Sequence, residues 1–191
     1  MANVVSKFTV IPMTEPDTSN LIAEAKRNPA AFAPLYDRYI QSIYRYIYSR
    51  VTNAQEAEDL TAQTFLKALE ALPRYRDRGY FAAWLFSIAR NQLMDHFRQR
   101  KRESNLPIAE GEAIDDPDLI GQVIQSQKVK YLSSLLTDLD DDEQELIRLR
   151  YLAELKFSEI AVLLGKKEDA VKKALYRLLA RLENQMEAVH E

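Results

Sequence analysis

WLFSIARNQLMDHFRQRKR, residues 84 to 102, starts as a helix with an apolar face and ends in a cluster of positive charge. With Phe81 just before it, Trp84, Leu85, Ile88, Ala89 and Leu93 fall on one side of a 3.6-residue repeat, and the single Trp is a natural core anchor. Asn91, Asp95 and Arg98 follow at i, i+4 and i+7 on the rim, where Asp95 can pair with Arg98 and accept from Asn91. Arg90, Arg98 and Lys101 point outward, and Arg100 and Arg102 complete the cluster. Cations at a helix C-terminus complement its dipole. Five of them in thirteen residues exceed what that effect uses, and a polyanion is the partner they fit.

The rest of the 191-residue chain supports a helical reading. Apolar residues make up 47% and charged residues 29%, and there are only four glycines. Such a composition belongs to soluble globular proteins and favours helix nearly everywhere. With no cysteine, disulfides, thiolate metal sites and thiol redox switches are excluded. No metal or cofactor site is expected. The N-terminus lacks the pattern of a signal peptide, and no window reaches the roughly 18 apolar residues of a membrane span. A cytoplasmic protein without membrane insertion is expected.

The net charge of −3 conceals strong segregation. Residues 74–102 carry eight Lys and Arg against two acids, a net of +6, whereas residues 103–127 hold six acids and no Lys or Arg. That acidic stretch also contains Pro107, Gly111, Pro117 and Gly121, so it reads as a flexible linker. The expected organisation is a tail over 1–20, a helical domain over 21–102, the linker over 103–127 and a second helical domain over 128–187. The fold class is all-α, with two small domains. Fully extended, the 25-residue linker spans roughly 80 Å, so the two ends can act at distant sites.

In the first domain, Tyr36, Tyr39, Ile40, Ile43, Ile47 and Val51 mark an amphipathic helix. Asn53 is a natural N-cap with Glu56 three residues on, as in a capping box, and the next helix runs to about Leu72 before Pro73. Its core face is Ala57, Leu60, Thr61, Thr64, Phe65, Ala68, Leu69 and Leu72. The opposite face carries Glu56, Asp59, Gln63, Leu66 and Glu70, where the apolar Leu66 stands out among polar neighbours. Such a face is either simply solvated or a docking surface anchored by that leucine. The loop PRYRDRGY, residues 73–80, interleaves Tyr75 and Tyr80 with Arg74, Arg76 and Arg78, which suits base stacking combined with phosphate neutralisation.

The second domain contains LKFSEIAVLLGKKEDAVKKALYRLLARL, residues 155–182. Ser158 reads as an N-cap, Phe157 and Val162 as a hydrophobic staple, and Gly165 as the left-handed stop after Leu164. After a three-residue turn, Val171, Ala174, Leu175, Leu178 and Leu182 form an inner stripe, with Lys172, Lys173, Tyr176 and Arg177 directed away. A short helix, a Gly-containing turn and a longer helix with a basic outer face describe a helix-turn-helix.

Taken in order, these segments resemble the bacterial RNA polymerase sigma factors of the small extracytoplasmic-function type, within the sigma-70 family. EAEDLTAQTFLKAL looks like the family's core-polymerase-binding segment, FAAWLFSIARNQLMDHFRQRKR like its promoter-melting and −10-reading helix, and the 155–182 stretch like its −35 helix-turn-helix. The resemblance implies that Glu56, Asp59, Gln63, Leu66 and Glu70 meet the clamp helices of the polymerase largest subunit. It implies −10 DNA contacts by Arg74, Tyr75, Arg76, Arg78, Tyr80, Arg90, Asn91, Arg98, Arg100, Lys101 and Arg102. It implies −35 contacts by Ser158, Lys167, Lys172, Lys173, Tyr176 and Arg177. Core RNA polymerase, including its flap region, promoter DNA and an anti-sigma factor are the implied partners. The family usually has Asp or Glu where this chain has Gln63, and a small hydroxyl residue where it has Lys167.

The resulting expectation is an alternative sigma factor that binds core polymerase, selects promoters and helps melt the −10 region, with no catalysis of its own. A stand-alone helix-turn-helix regulator is the alternative. A hydrolase using Glu56, Asp59 and Glu70 lacks every supporting motif, since His96 and His190 are the only histidines and no nucleophile or phosphate-binding loop accompanies them. The acidic linker is further expected to fold back on the basic helix through Asp115, Asp116 and Asp118.

Overall fold

With so few breakers, the helix ends are set by caps, left-handed residues, a proline and a change of helix type. The computed structural model describes residues 16–104 and 127–188, and among these there is no strand. The first domain comprises α1 (Pro16–Arg27), α2 (Ala33–Val51), α3 (Ala54–Ala71) and α4 (Phe81–Ser104). The second comprises α5 (Gln127–Thr137), α6 (Asp141–Ile147), α7 (Phe157–Leu164) and α8 (Glu168–Ala188). The all-α, two-domain expectation holds. Most of the expected linker, with Asp115, Asp116 and Asp118, lies outside the described residues. No described helix is long and apolar enough to cross a membrane.

The helix ends follow local chemistry. Thr52 leaves α2 in the left-handed region at φ 56°. The Asn53 side chain then accepts from the Glu56 N–H at 3.0 Å, which caps α3 and contributes about 1 kcal/mol. At its far end α3 tightens into a 3-10 turn, Leu72–Arg74, because Pro73 cannot extend it. Asp140 caps α6 through the Glu143 N–H at 2.8 Å. Beyond α6 the chain widens into a π-helical turn over Arg148–Leu152 and leaves it at Glu154, φ 58°.

Two expected boundaries need correction. Helix α1 starts at Pro16, inside the expected 1–20 tail, and it packs through the buried Ile22 and Ala25. Proline suits a first turn, where its missing N–H has no partner to lose. Ser158 is not an N-cap. Lys156 holds that position, with its N–H donated to the Glu159 carboxylate at 2.7 Å, so Ser158 sits one residue inside α7. A lysine side chain cannot accept a hydrogen bond, so only the glutamate half of a capping box operates. The expected staple also fails, since Val162 is 52% exposed and Phe157 packs elsewhere. Gly165 does stop α7, at φ 64°.

Each domain has its own buried residues, and the two also share a junction. Helix α7 lies on α4 and the π-helical turn lies on α2, while α6 reaches α2 through the Glu145 side chain. Arg45 and Glu154 pair across this junction at 2.7 Å. The second domain thus packs against both α2 and α4.

Candidate functional site

The polar face of α3 is presented to solvent. Asp59, Gln63 and Glu70 are exposed, and Leu66 is 59% exposed among them. Glu56 departs from the expected set. Its Oε2 lies 3.1 Å from His96 Nε2 and 3.3 Å from an Arg100 guanidinium nitrogen, both on α4. One residue expected to face a protein partner and one expected to face DNA thus pair with each other, because α3 and α4 run side by side. Between them a polar groove of about 230 Å³ is bordered by Asp59, Gln63, Gln92, Asp95, His96 and Gln99.

The loop between the 3-10 turn and α4 is exposed except at one residue. Arg74, Arg76, Asp77, Arg78 and Tyr80 are exposed, whereas Tyr75 is only 9% exposed. The Tyr75 ring lies 4.5 Å from Trp84 and 5.6 Å from Phe81, centroid to centroid. The Lys26 ammonium donates to the Tyr75 carbonyl and sits 5.8 Å from its ring centroid. Burial, reinforced by the nearby Asp77 carboxylate, pushes the Tyr75 hydroxyl up to about 12. Tyr75 is therefore a wedge under the loop, not the base-stacking surface expected of it. Tyr75 leaves the 3-10 turn in extended backbone and points inward, while the arginines on either side of it stay exposed.

Asp77 ties this loop to the first helix. It accepts from the Gly79 N–H at 3.0 Å and from the Tyr75 hydroxyl at 3.4 Å, and Ser19 supplies a further hydrogen bond. Burial alone would raise the Asp77 carboxyl, but these donors and Lys26 outweigh it and hold it below its usual value. Gly79, at φ 76°, supplies the left-handed residue the turn requires.

Along α4, Asn91, Arg98, Lys101 and Arg102 are exposed, and Arg98 pairs with Asp95 at 3.5 Å as their spacing implied. Trp84 is half-buried against Tyr75 and Phe81. In the second domain Lys173, Tyr176 and Arg177 are exposed on α8, and Ala174 joins them instead of the inner stripe. Lys167 stands at the N-cap position, its carbonyl accepting from Ala170 and Val171. Lys172 pairs with Glu168 at 2.6 Å, a hydrogen bond that raises its pKa. Phe157 forms a wall for this helix: Tyr176 lies 5.9 Å from it, Arg150 4.7 Å and Lys172 5.8 Å.

One constellation escaped the sequence reading. Glu145 of α6 is 7% exposed at the junction of the domains, where Tyr46 donates its hydroxyl to Oε1 at 2.7 Å. Arg50 approaches the same carboxylate to 3.5 Å and Arg90 to 3.7 Å. Burial, and then the Glu145 charge, raises the Tyr46 hydroxyl well above its ordinary value. In DLDDDEQELIRLR, Glu145 is one acid among several, and nothing local marks it as buried.

Comparison with known proteins bears on these surfaces. Residues 35–103 match the family model described as sigma-70 region 2, and residues 130–182 match that of sigma-70 region 4. The chain is similar to the ECF RNA polymerase sigma factor BldN of Streptomyces coelicolor, at 35% identity covering 90% of this chain and 67% of the relative. It is also similar to SigM of Bacillus subtilis, an ECF RNA polymerase sigma factor, at 29% identity covering 78% of this chain and 90% of the relative. Among solved structures, CnrH in complex with the cytosolic domain of CnrY shares the fold at a TM-score of 0.59, with 24% identity over 88% of this chain and 96% of that one. The sigma factor RpoE in complex with the anti-sigma factor NepR from Bartonella quintana does so at 0.59, with 24% identity over 84% and 98%.

Proposed function

Because the chain belongs to the extracytoplasmic-function sigma factors of the sigma-70 family, we infer that its exposed surfaces divide into one that holds core RNA polymerase and two that read promoter DNA. It is an alternative sigma factor, which directs core polymerase to particular promoters and helps open the −10 region. It acts by binding. The observation that carries this reading is the presence, in one chain and in order, of a region 2 segment and a region 4 segment. A stand-alone helix-turn-helix regulator would leave the first of them without a purpose.

Physical chemistry assigns the surfaces their roles. Asp59, Gln63, Leu66 and Glu70 form an apolar anchor with a polar rim, the pattern of a protein interface, and the polymerase clamp helices are its partner. Glu56 contributes at the edge while remaining tied to α4. Arg74, Arg76, Arg78 and Tyr80 hold an unpaired nucleotide of the −10 strand by charge and stacking, and Tyr75 supports them from below. Arg90, Asn91, Arg98, Arg100, Lys101 and Arg102 track the adjoining backbone.

Lys172, Lys173, Tyr176 and Arg177 enter the major groove at the −35 element, with Lys167 and Ser158 at the phosphates flanking it. The second domain also meets the polymerase flap region. An anti-sigma factor is the expected inhibitor, as the solved complexes of CnrH with CnrY and RpoE with NepR suggest for a shared fold.

Run-off transcription on a promoter library tests this directly. Product is expected only when the purified chain and core polymerase are both present. Transcripts with polymerase alone at the same starts, or no stable association of the chain with core polymerase, would overturn it.

A further inference from the structure

The cluster at the domain junction is a set of donors closed on a single anion. Tyr46 offers a hydroxyl at 2.7 Å, Arg50 and Arg90 add guanidinium groups at 3.5 Å and 3.7 Å, and the Glu145 carboxylate between them is almost wholly buried. Two cations and a hydroxyl converging on one acid leave positive charge in excess, and Arg148 beside Arg50 adds more. A cleft of about 370 Å³ borders the cluster at Arg50, Arg90, Asp141, Asp142 and Lys166, so an incoming group has a route to it.

Arg90 precedes Asn91 on the helix assigned to the −10 element, and Arg50 lies 5.8 Å from the ring of Phe97 farther along the same helix. The donors therefore continue the basic track of α4. We propose that Tyr46, Arg50 and Arg90 form a phosphate-diester site for DNA backbone, which Glu145 fills in the closed chain and vacates when the two domains separate.

This proposal rests on the sigma-factor reading, because that reading supplies a reason for separation. Promoter elements two helical turns apart lie on the order of 70 Å from one another. Helices packed face to face, as α7 is on α4, have axes only about 8–10 Å apart. The closed arrangement cannot seat both DNA-reading helices on such a promoter. Glu145 then serves as an internal competitor: DNA that reaches the donors and the carboxylate that holds the domains shut exclude each other.

The chain has no cysteine, so spin labels can be placed without background at Lys67→Cys and Asn184→Cys, both exposed and outside the assigned surfaces. A 40-base-pair duplex of arbitrary sequence serves as probe, since phosphate contacts do not depend on sequence. In the labelled full chain, one short distance is expected without DNA and a longer population with it. Glu145→Gln, which keeps the shape and removes the charge, should raise the open fraction without DNA about tenfold.

On the Glu145→Gln background, Arg50→Ala should reduce the slope of log affinity against log salt by about 0.9, the value for one phosphate contact. Tyr46→Phe, which removes only a hydroxyl, should weaken duplex binding on that background about threefold if it removes one neutral donor. Inorganic phosphate at matched ionic strength should leave the distance unchanged. An unaltered distance in Glu145→Gln would overturn the competition, and an unaltered salt slope in Arg50→Ala would overturn the phosphate site. Opening by inorganic phosphate as complete as by duplex would overturn the assignment to DNA. None of these measurements includes polymerase, so their failure is distinct from failure of the transcription reading.

Discussion

Replacing Tyr75 by alanine separates a supporting residue from a stacking one. Tyr75 is 9% exposed, and its ring touches Trp84 and Phe81. Truncating a buried aromatic typically costs about 3–5 kcal/mol, part of it in lost ring pairs. Taking about 3 kcal/mol and a urea m value of about 2 kcal/mol/M, the midpoint of unfolding should fall by roughly 1.5 M. Tyr80→Ala, on the exposed side of the same loop, should leave the midpoint within roughly 0.25 M, as for ordinary surface changes of about 0.5 kcal/mol. Urea unfolding followed by far-ultraviolet circular dichroism measures both. If Tyr75→Ala kept full stability while losing single-strand binding, Tyr75 would be a base-stacking residue and the packing argument would be wrong.

Other substitutions test the remaining surfaces. Leu66→Asp, at a position 59% exposed, should leave thermal stability nearly unchanged but weaken association with core polymerase at least tenfold in a pull-down titration, an anchor effect of about 1.4 kcal/mol or more. Gly165→Ala meets no neighbour within 4 Å, so its cost should be only the left-handed backbone, about 1–2 kcal/mol, read as a lowered melting temperature. For Asp77 the folded carboxyl lies below its unfolded value, so its contribution is present above about pH 4 and is lost as pH falls through the folded value. The stability gap between wild type and Asp77→Asn should accordingly be constant from pH 5 to 8 and shrink below pH 4 in urea titrations.

The helices were legible wherever one residue type decides a terminus or a face. Asn53, Pro73 and Gly165 mark ends that their neighbours cannot override, and the apolar repeat from Tyr36 to Val51 shows one face of α2. Ser158 misled because a serine is a good cap in isolation, while Glu159 beside it reaches back to the Lys156 N–H and sets the start two residues earlier. Tyr75 misled because nothing in the loop sequence tells which of its two tyrosines turns inward against Trp84 and Phe81. Glu145 was invisible, since its burial depends on Tyr46, Arg50 and Arg90, which are about 55 to 99 residues away and meet it only when the domains pack.

Helix α1 also bears on how the protein can be divided. A shortened chain that began at residue 35, where the region 2 match starts, would lack the lysine that holds the Tyr75 carbonyl and the serine that reaches Asp77. It would also bare the hydrophobic footprint on which Ile22 and Ala25 rest. Fragments intended to report on nucleotide capture should therefore retain residues from Pro16 onward, or the arginine-bearing loop they display will be a slack version of the native one.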